Sequence, residues 1–143
     1  WGAIGAAQAC YSEALRYSRE RIVFDRPLGS LQIPQQKLTF MATEITKAQL
    51  LALQLGRLKD AGRLHHAMVS MAKMNNVDMA LQIARLARDM LGANGIVDDY
   101  QAMRHMMKSG NDAFGSGLLH IGQRDGVVRT EPTPRLKERF IVN

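Results

Sequence analysis

The stretch from His65 to Ile96 constrains the fold more than any other part of the chain. It combines a long apolar periodicity with the turn sequence Leu-Gly-Ala-Asn-Gly-Ile at its end. At 100° per residue, the apolar side chains cover about half of a helix circumference. They are Met68, Val69, Ala72, Val77, Met79, Ala80, Ile83, Ala84, Leu86, Ala87, Met90 and Leu91. Because so wide an apolar face needs more than one neighbour, we expect this helix to lie between two others.

Two glycines follow this helix closely. Gly92 is well placed to end it in the left-handed αL conformation, and Gly95 permits a second close approach of the backbone. Without side chains, both positions could admit a ligand or another subunit. Taken alone, however, the segment also fits a helix cap followed by an ordinary second turn, and it follows a helix rather than preceding one as phosphate-binding loops do.

Similar periodicity predicts three further helices. They run over about Gly2 to Val23, Ile33 to Gly62 and, more briefly, Asp98 to Lys108. No strand pattern appears in the first hundred residues. We therefore predict an all-α fold, an antiparallel up-down four-helix bundle over residues 1–108, followed by an irregular tail over residues 109–143 that is rich in glycine and proline.

Composition narrows the functional classes. The chain has 143 residues, 46% of them apolar, which is enough for one domain with a real core. No apolar run is long enough to cross a membrane. The net charge of +6 raises the question of nucleic acid, but the basic residues are spread over helix faces, as where Arg16 follows Glu13, and no aromatic residues alternate with them. We expect neither nucleic-acid binding nor membrane insertion.

The start of the chain and its single cysteine bear on the origin and the location of the protein. Trp1 opens directly into helical sequence without a signal-peptide pattern, which suggests a piece of a larger protein. Cys10 is the single cysteine and lies among apolar helix positions, so we expect a buried small hydrophobic residue rather than a reactive thiol. A cytoplasmic location is expected, or the mitochondrial matrix in a eukaryote.

Motifs for metal binding and nucleophilic catalysis are missing. None of the four histidines, His65, His66, His105 and His120, follows a glutamate at the spacing of di-iron bundles. His65 and His66 would point about 100° apart on a helix and could not easily share an ion. Gly-Ser-Gly at Ser116 does not have the form of a nucleophile elbow. We predict no metal site.

The loop after the first helix carries a sharper combination of residues. Arg21 could hold a pyrophosphate through paired hydrogen bonds, Phe24 could pack against a planar ring, and Gln32 offers a donor and an acceptor. A purely structural interpretation is also open. In it Arg21 pairs with Glu20 or another acid, Phe24 belongs to the core, and Gln32 caps the next helix.

These motifs together resemble a known family. Arg21-Ile-Val-Phe24, then Pro27-Leu28, then Gln32, resembles the loop after the first helix of the acyl-CoA dehydrogenase C-terminal domain. Residues 87–96 resemble the glycine turn of the same family, and residues 98–107 look most like its glutaryl-CoA branch. The resemblance covers roughly residues 1–107.

The resemblance implies an FAD enzyme that dehydrogenates an acyl-CoA between its α and β carbons, with decarboxylation in the glutaryl branch and electron-transfer flavoprotein as a partner. In that family this domain forms the core of a tetramer and reaches a flavin bound chiefly by another subunit. Carried over by position, the FAD contacts are Arg21, Phe24, Gln32, Gly92, Asn94 and Gly95. By the same comparison the last three line the adenine end.

Two departures from the family pattern stand out. Asp25 occupies the position after the phenylalanine where the family usually has glycine. The family's catalytic glutamate, in a Tyr-Glu-Gly-Thr turn, should fall at Ser116, and a neutral serine cannot act as that base. We therefore expect the isolated chain to have no catalytic residue and no activity. The competing hypothesis is an inert helical bundle that serves only in assembly.

Overall fold

A computed structural model describes residues 1–97 together with Tyr100, Ala102, Arg104, His105 and Met107. Three helices make up most of this region: α1 (Gly2–Glu20), α2 (Gln32–Asp60) and α3 (His66–Leu91). The shorter elements are β1 (Ile22–Val23), β2 (Arg26–Pro27) and two 3-10 turns, Leu28–Ser30 and Gly92–Ile96.

The three helices run up, down and up. Trp1 and Gly2 at the start of α1 share a groove with the end of α2 and the first half of α3. At the opposite end of the molecule, Tyr17 in the last turns of α1 lies beside Leu91 at the end of α3. Helix α2 is therefore antiparallel to both others, which confirms the predicted direction of these three helices.

Helix α3 is the centre of the core, as its wide apolar face predicts. It packs against both α1 and α2. The buried cluster is formed by Ile4, Ala7, Cys10, Ala14, Met41, Ile45, Ala48, Met79, Ala80, Ile83, Ala84, Ala87, Met90, Leu91 and Ala102. The first two residues of the predicted apolar face are not buried, since Met68 is 36% exposed and Val69 is 46% exposed. Apolar periodicity thus continues past the point where neighbours cover the helix.

The residues opposite the apolar face of α3 are polar. Asp78, Gln82, Arg85 and Asp89 on α3 are all exposed. Helix α1 has many alanines on its inner side, which allows it to approach α3 closely, and Cys10 is fully buried there. The interpretation of Cys10 as a small core residue is therefore confirmed.

The described residues form an all-helical fold, as predicted, with one short hairpin that no strand pattern in the sequence indicated. Helix α1 ends at Glu20 rather than at Val23, because Arg21 adopts an extended backbone and the β-branched Ile22 and Val23 form β1. β1 pairs with β2 in an antiparallel hairpin, with Ile22 opposite Pro27. Strands of two residues are too short to show an alternating pattern in a sequence.

The turn between α2 and α3 shows why two adjacent histidines lie together. His65 is the N-cap of α3, and its Nδ1 accepts a hydrogen bond from the Ala67 backbone N–H at 3.3 Å. Since His65 stands outside the helix, its ring lies 4.2 Å from that of His66 rather than 100° around a helix from it. The predicted divergence of the two rings is thus wrong.

The fourth predicted helix lies mostly outside the described residues. Ala102, Arg104, His105 and Met107 have helical backbone, and the Ala102 N–H donates to the Glu13 carboxylate at 3.2 Å. The tail over residues 109–143, with Ser116 in it, lies wholly outside them, so the four-helix count and the tail stay predictions. None of the described helices is long and apolar enough to span a membrane.

Candidate functional site

Arg21 stands at the point where α1 ends. Its backbone N–H donates to the Tyr17 carbonyl at 2.9 Å, the last hydrogen bond of the helix, and its side chain is exposed. Within the described part of the chain, Arg21 forms no ion pair with Glu20 or any other acid. The guanidinium is therefore available to an anion at this end of the molecule.

Phe24 and Gln32 both contradict the structural interpretation of the loop. Phe24 is 83% exposed and so is not a core residue. It and Asp25 form the hairpin turn with φ of 53° and 59°, a conformation that side-chain-bearing residues rarely adopt. Gln32 is the first residue of α2, whose N-cap is Leu31 and has no side-chain capping bond. The purely structural interpretation therefore fails for both residues, since Phe24 does not belong to the core and Gln32 does not cap α2.

The two glycines of the turn after α3 do different things. Gly92 has a positive φ, as predicted, but with φ 59° and ψ −130° it is not in the αL conformation. A Cβ at Gly92 would meet nothing within 4 Å, so space remains beside the backbone. A Cβ at Gly95 would lie 2.5 Å from the Arg88 carbonyl oxygen. Gly95 is buried, and its lack of a side chain is required for packing against Arg88.

A cleft brings the end of α1 and the turn after α3 together. It has a volume of about 350 Å³. Three of the predicted site residues, Arg21, Gly92 and Asn94, line it. The remaining lining residues are Tyr17, Val23, Leu28, Met90, Leu91 and Ala93. Phe24, Gln32 and Gly95 lie outside it.

Tyr17 is the residue that sequence reasoning missed. Its hydroxyl accepts a hydrogen bond from Asn94 Nδ2 at 3.2 Å, which joins residues 77 positions apart. Its ring also meets that of Tyr100 edge to face, with centroids 6.1 Å apart. The available signal was spacing, since Tyr17 lies four residues, or about one helical turn, before Arg21 in a helix that was predicted to continue to Val23.

The chemistry of the cleft is that of an anion site beside an apolar wall. Arg21 supplies a permanent positive charge, Asn94 and Tyr17 supply hydrogen-bonding groups, and Leu28 and Met90 supply apolar surface. No group of three potential metal ligands occurs among the residues described. Cys10 lies in the core instead, and burial, with a smaller contribution from Glu13, raises the pKa of its thiol to about 12.

Comparison with known proteins identifies the family of the chain. Residues 1–130 match the family model described as "Acyl-CoA dehydrogenase, C-terminal domain". The chain therefore belongs to the acyl-CoA dehydrogenase family, in the part that forms its C-terminal domain. The match extends beyond Met107, where the resemblance based on motifs ended.

Its relatives include glutaryl-CoA dehydrogenases. The enzyme of Desulfococcus multivorans is 38% identical over 104 residues, which are 72% of this chain and 27% of the relative. A crystal structure of glutaryl-CoA dehydrogenase from Mycobacterium smegmatis superposes with a TM-score of 0.79 at 49% identity, over 81% of this chain and 30% of that one.

A second glutaryl-CoA dehydrogenase structure from Mycobacterium smegmatis, in complex with FADH2, has a TM-score of 0.79 at 39% identity. The alignment covers 85% of this chain and 33% of that one. The chain thus spans about a third or less of the length of these proteins.

Proposed function

We propose that this chain acts as the C-terminal helical domain of an FAD-dependent acyl-CoA dehydrogenase of the glutaryl-CoA type. The whole enzyme would dehydrogenate its thioester between the α and β carbons and decarboxylate the product. The observation that carries the proposal is the shared cleft, in which Arg21 and the Gly92–Asn94 turn meet although they are distant in sequence. The family resemblance had assigned these residues to one nucleotide.

The residues present fit such a cofactor. Arg21 can hold a diphosphate through charge-assisted hydrogen bonds, and the open side of Gly92 leaves room beside the backbone. The exposure of Phe24 in a strained turn supports a role outside the core, such as contact with a planar ring. When bound, FAD supplies the hydride acceptor of the reaction. Gln32 and Gly95 receive no comparable support.

Titration with FAD tests this proposal. The chain should quench FAD fluorescence saturably, and Arg21→Ala should weaken the apparent affinity by at least tenfold, since it removes the charged partner of the diphosphate. Arg16→Ala is the matched control, because Arg16 is an exposed arginine on α1 outside the cleft. Equal losses in both variants, or no saturable binding, would contradict a cofactor role.

The chain alone should not turn over substrate. Aligned with the family, the base that removes the α-proton falls at Ser116, which is neutral at ordinary pH. Glutaryl-CoA, FAD and an artificial electron acceptor, incubated with the purified chain, should give no steady reduction of the acceptor. Steady turnover would show that another group serves as the base.

A second candidate function is assembly alone. Several large apolar side chains on α2 and the first half of α3 are exposed, among them Leu50, Leu53 and Met71. Such residues favour association with a second copy of the chain. A stable oligomer on sizing, together with no FAD binding, would favour this function over the first.

A further inference from the structure

Among the hydrogen bonds of the described residues, those of Tyr17 reach both segments of the cleft. Its carbonyl accepts the backbone N–H of Arg21, and its hydroxyl accepts the side-chain N–H of Asn94. The first contact is ordinary helix geometry. The second joins α1 to a turn that begins only after α3 has ended, so it is a tertiary contact.

The turn that carries Asn94 has few other attachments on the side of the cleft. Gly92 and Ala93 are exposed, whereas Gly95 packs against Arg88 at the end of α3. The buried side of the turn is thus held by its own helix. Of the hydrogen bonds described, the one from Asn94 to Tyr17 is the side-chain bond that ties the turn to α1.

We propose that Tyr17 is a positioning residue of the cofactor site, whose hydroxyl holds Asn94 and thereby keeps the glycine turn facing Arg21. This inference rests on the proposed function. Tyr17 acts on the turn rather than on the chemistry of the reaction. The Tyr17 ring makes a separate contribution to packing, through its edge-to-face contact with the Tyr100 ring.

Tyr17→Phe separates these two contributions, because phenylalanine keeps the ring contact and removes the hydroxyl. A hydrogen bond of ordinary strength corresponds to about a fivefold loss of FAD affinity if the turn is no longer held. Tyr11→Phe is the matched control, since Tyr11 is also half-buried on α1 but lies outside the cleft. It should leave FAD affinity unchanged.

A double-mutant cycle with Asn94→Ala tests whether Tyr17 acts through Asn94. If it does, the double variant binds FAD no more weakly than Asn94→Ala alone. Losses that multiply would overturn the inference, because Tyr17 would then act independently of Asn94. The inference would also be overturned if Tyr17→Phe changed the melting temperature as much as Tyr11→Phe does and left FAD affinity unaltered. Tyr17 would then have only a structural role.

Amide hydrogen exchange provides a readout that needs no cofactor. In Tyr17→Phe the amides of residues 92–97 should exchange several-fold faster than in the unaltered chain, while those in the middle of α3 should not change. Equal exchange in both proteins overturns the inference even if the chain binds no FAD. Absence of FAD binding by the unaltered chain contradicts the proposed function instead, so the two failures are distinguishable.

Discussion

At the scale of single residues, Gly95 has the least space for a side chain of the glycines that the structure describes. A side chain there would collide with the main chain of α3, where an oxygen lies 2.5 Å from the Cβ position, and backbone cannot move aside as a flexible side chain can. We expect Gly95→Ala to lower the free energy of unfolding by about 1–3 kcal/mol, measured by denaturant titration.

Gly56 is the matched control for this substitution. It lies in α2, is exposed and has nothing within 4 Å of its Cβ position. Gly56→Ala should raise the free energy of unfolding by about 0.5–1 kcal/mol, because alanine loses less backbone entropy in a helix. Equal effects of the two substitutions would show that the contact at Gly95 is not tight.

Asp25 is the residue that departs from the family pattern, in which this position is usually glycine. Its φ of 59° is the conformation that glycine adopts freely and aspartate tolerates. Asp25→Gly should raise the free energy of unfolding by roughly 0.5 kcal/mol, and Asp25→Asn should leave it unchanged. Both remove a negative charge four residues along the chain from Arg21, so both should improve FAD affinity about twofold. Improvement in the glycine variant alone would exclude the charge as its cause.

The pKa of Cys10 controls its reactivity. With the thiol pKa raised from 9.0 to about 12, the thiolate at pH 8 is about a thousandfold rarer in the folded chain than in the unfolded one. A thiol reagent should therefore label the folded chain slowly and the denatured chain fast. Because the folded state disfavours the thiolate, the free energy of unfolding should also fall as pH rises above 9. Cys10→Ala should remove the contribution of the thiol, so the fall above pH 9 should be smaller than in the unaltered chain.

At the scale of elements, burial holds α3 in place more strongly than charge does. Ile83 is fully buried between the helices, whereas the ion pair of Lys37 with Asp89 joins α2 to α3 at the surface, with the Asp89 side chain 61% exposed. The first kind of contact removes apolar area from water, and the second is weakened by solvent and salt.

We expect Ile83→Ala to lower the free energy of unfolding by about 2–5 kcal/mol. Asp89→Asn should lower it by less than about 1 kcal/mol, and this smaller effect should vanish in 1 M salt. Denaturant titrations at two salt concentrations measure both. A large, salt-independent effect of Asp89→Asn would mean that the pair is better shielded than its exposure indicates.

At the scale of the whole molecule, the exposed apolar residues point to association. Leu53 is 46% exposed and Met71 is 40% exposed. If these helices bury their outer faces against another copy, the variant with Leu53→Glu and Met71→Glu should elute as a smaller species on size exclusion. Gln54→Glu adds charge at an exposed polar position of the same helix and should change nothing. An unaltered chain that is already monomeric would refute the prediction.

Much of the fold follows from local sequence. The approximate bounds of α2 and α3 and most of the buried face of α3 were predicted from helical periodicity, because an amphipathic helix repeats its pattern many times. The hairpin at residues 22–27 was not, since its strands are short and its turn contains Phe24 and Asp25 instead of the usual glycine or asparagine.

The sequence by itself determined the three helices, most of the buried face of α3 and the residue types available to an anion at Arg21. Only the tertiary structure decided that Asn94 meets Tyr17 across 77 positions, that Gly95 serves packing against Arg88, and that Phe24 faces outward. The physical reason is the separation along the chain of the residues that interact. Helical periodicity is a property of neighbours along the chain, whereas a cleft depends on how the ends of separate helices come together in space.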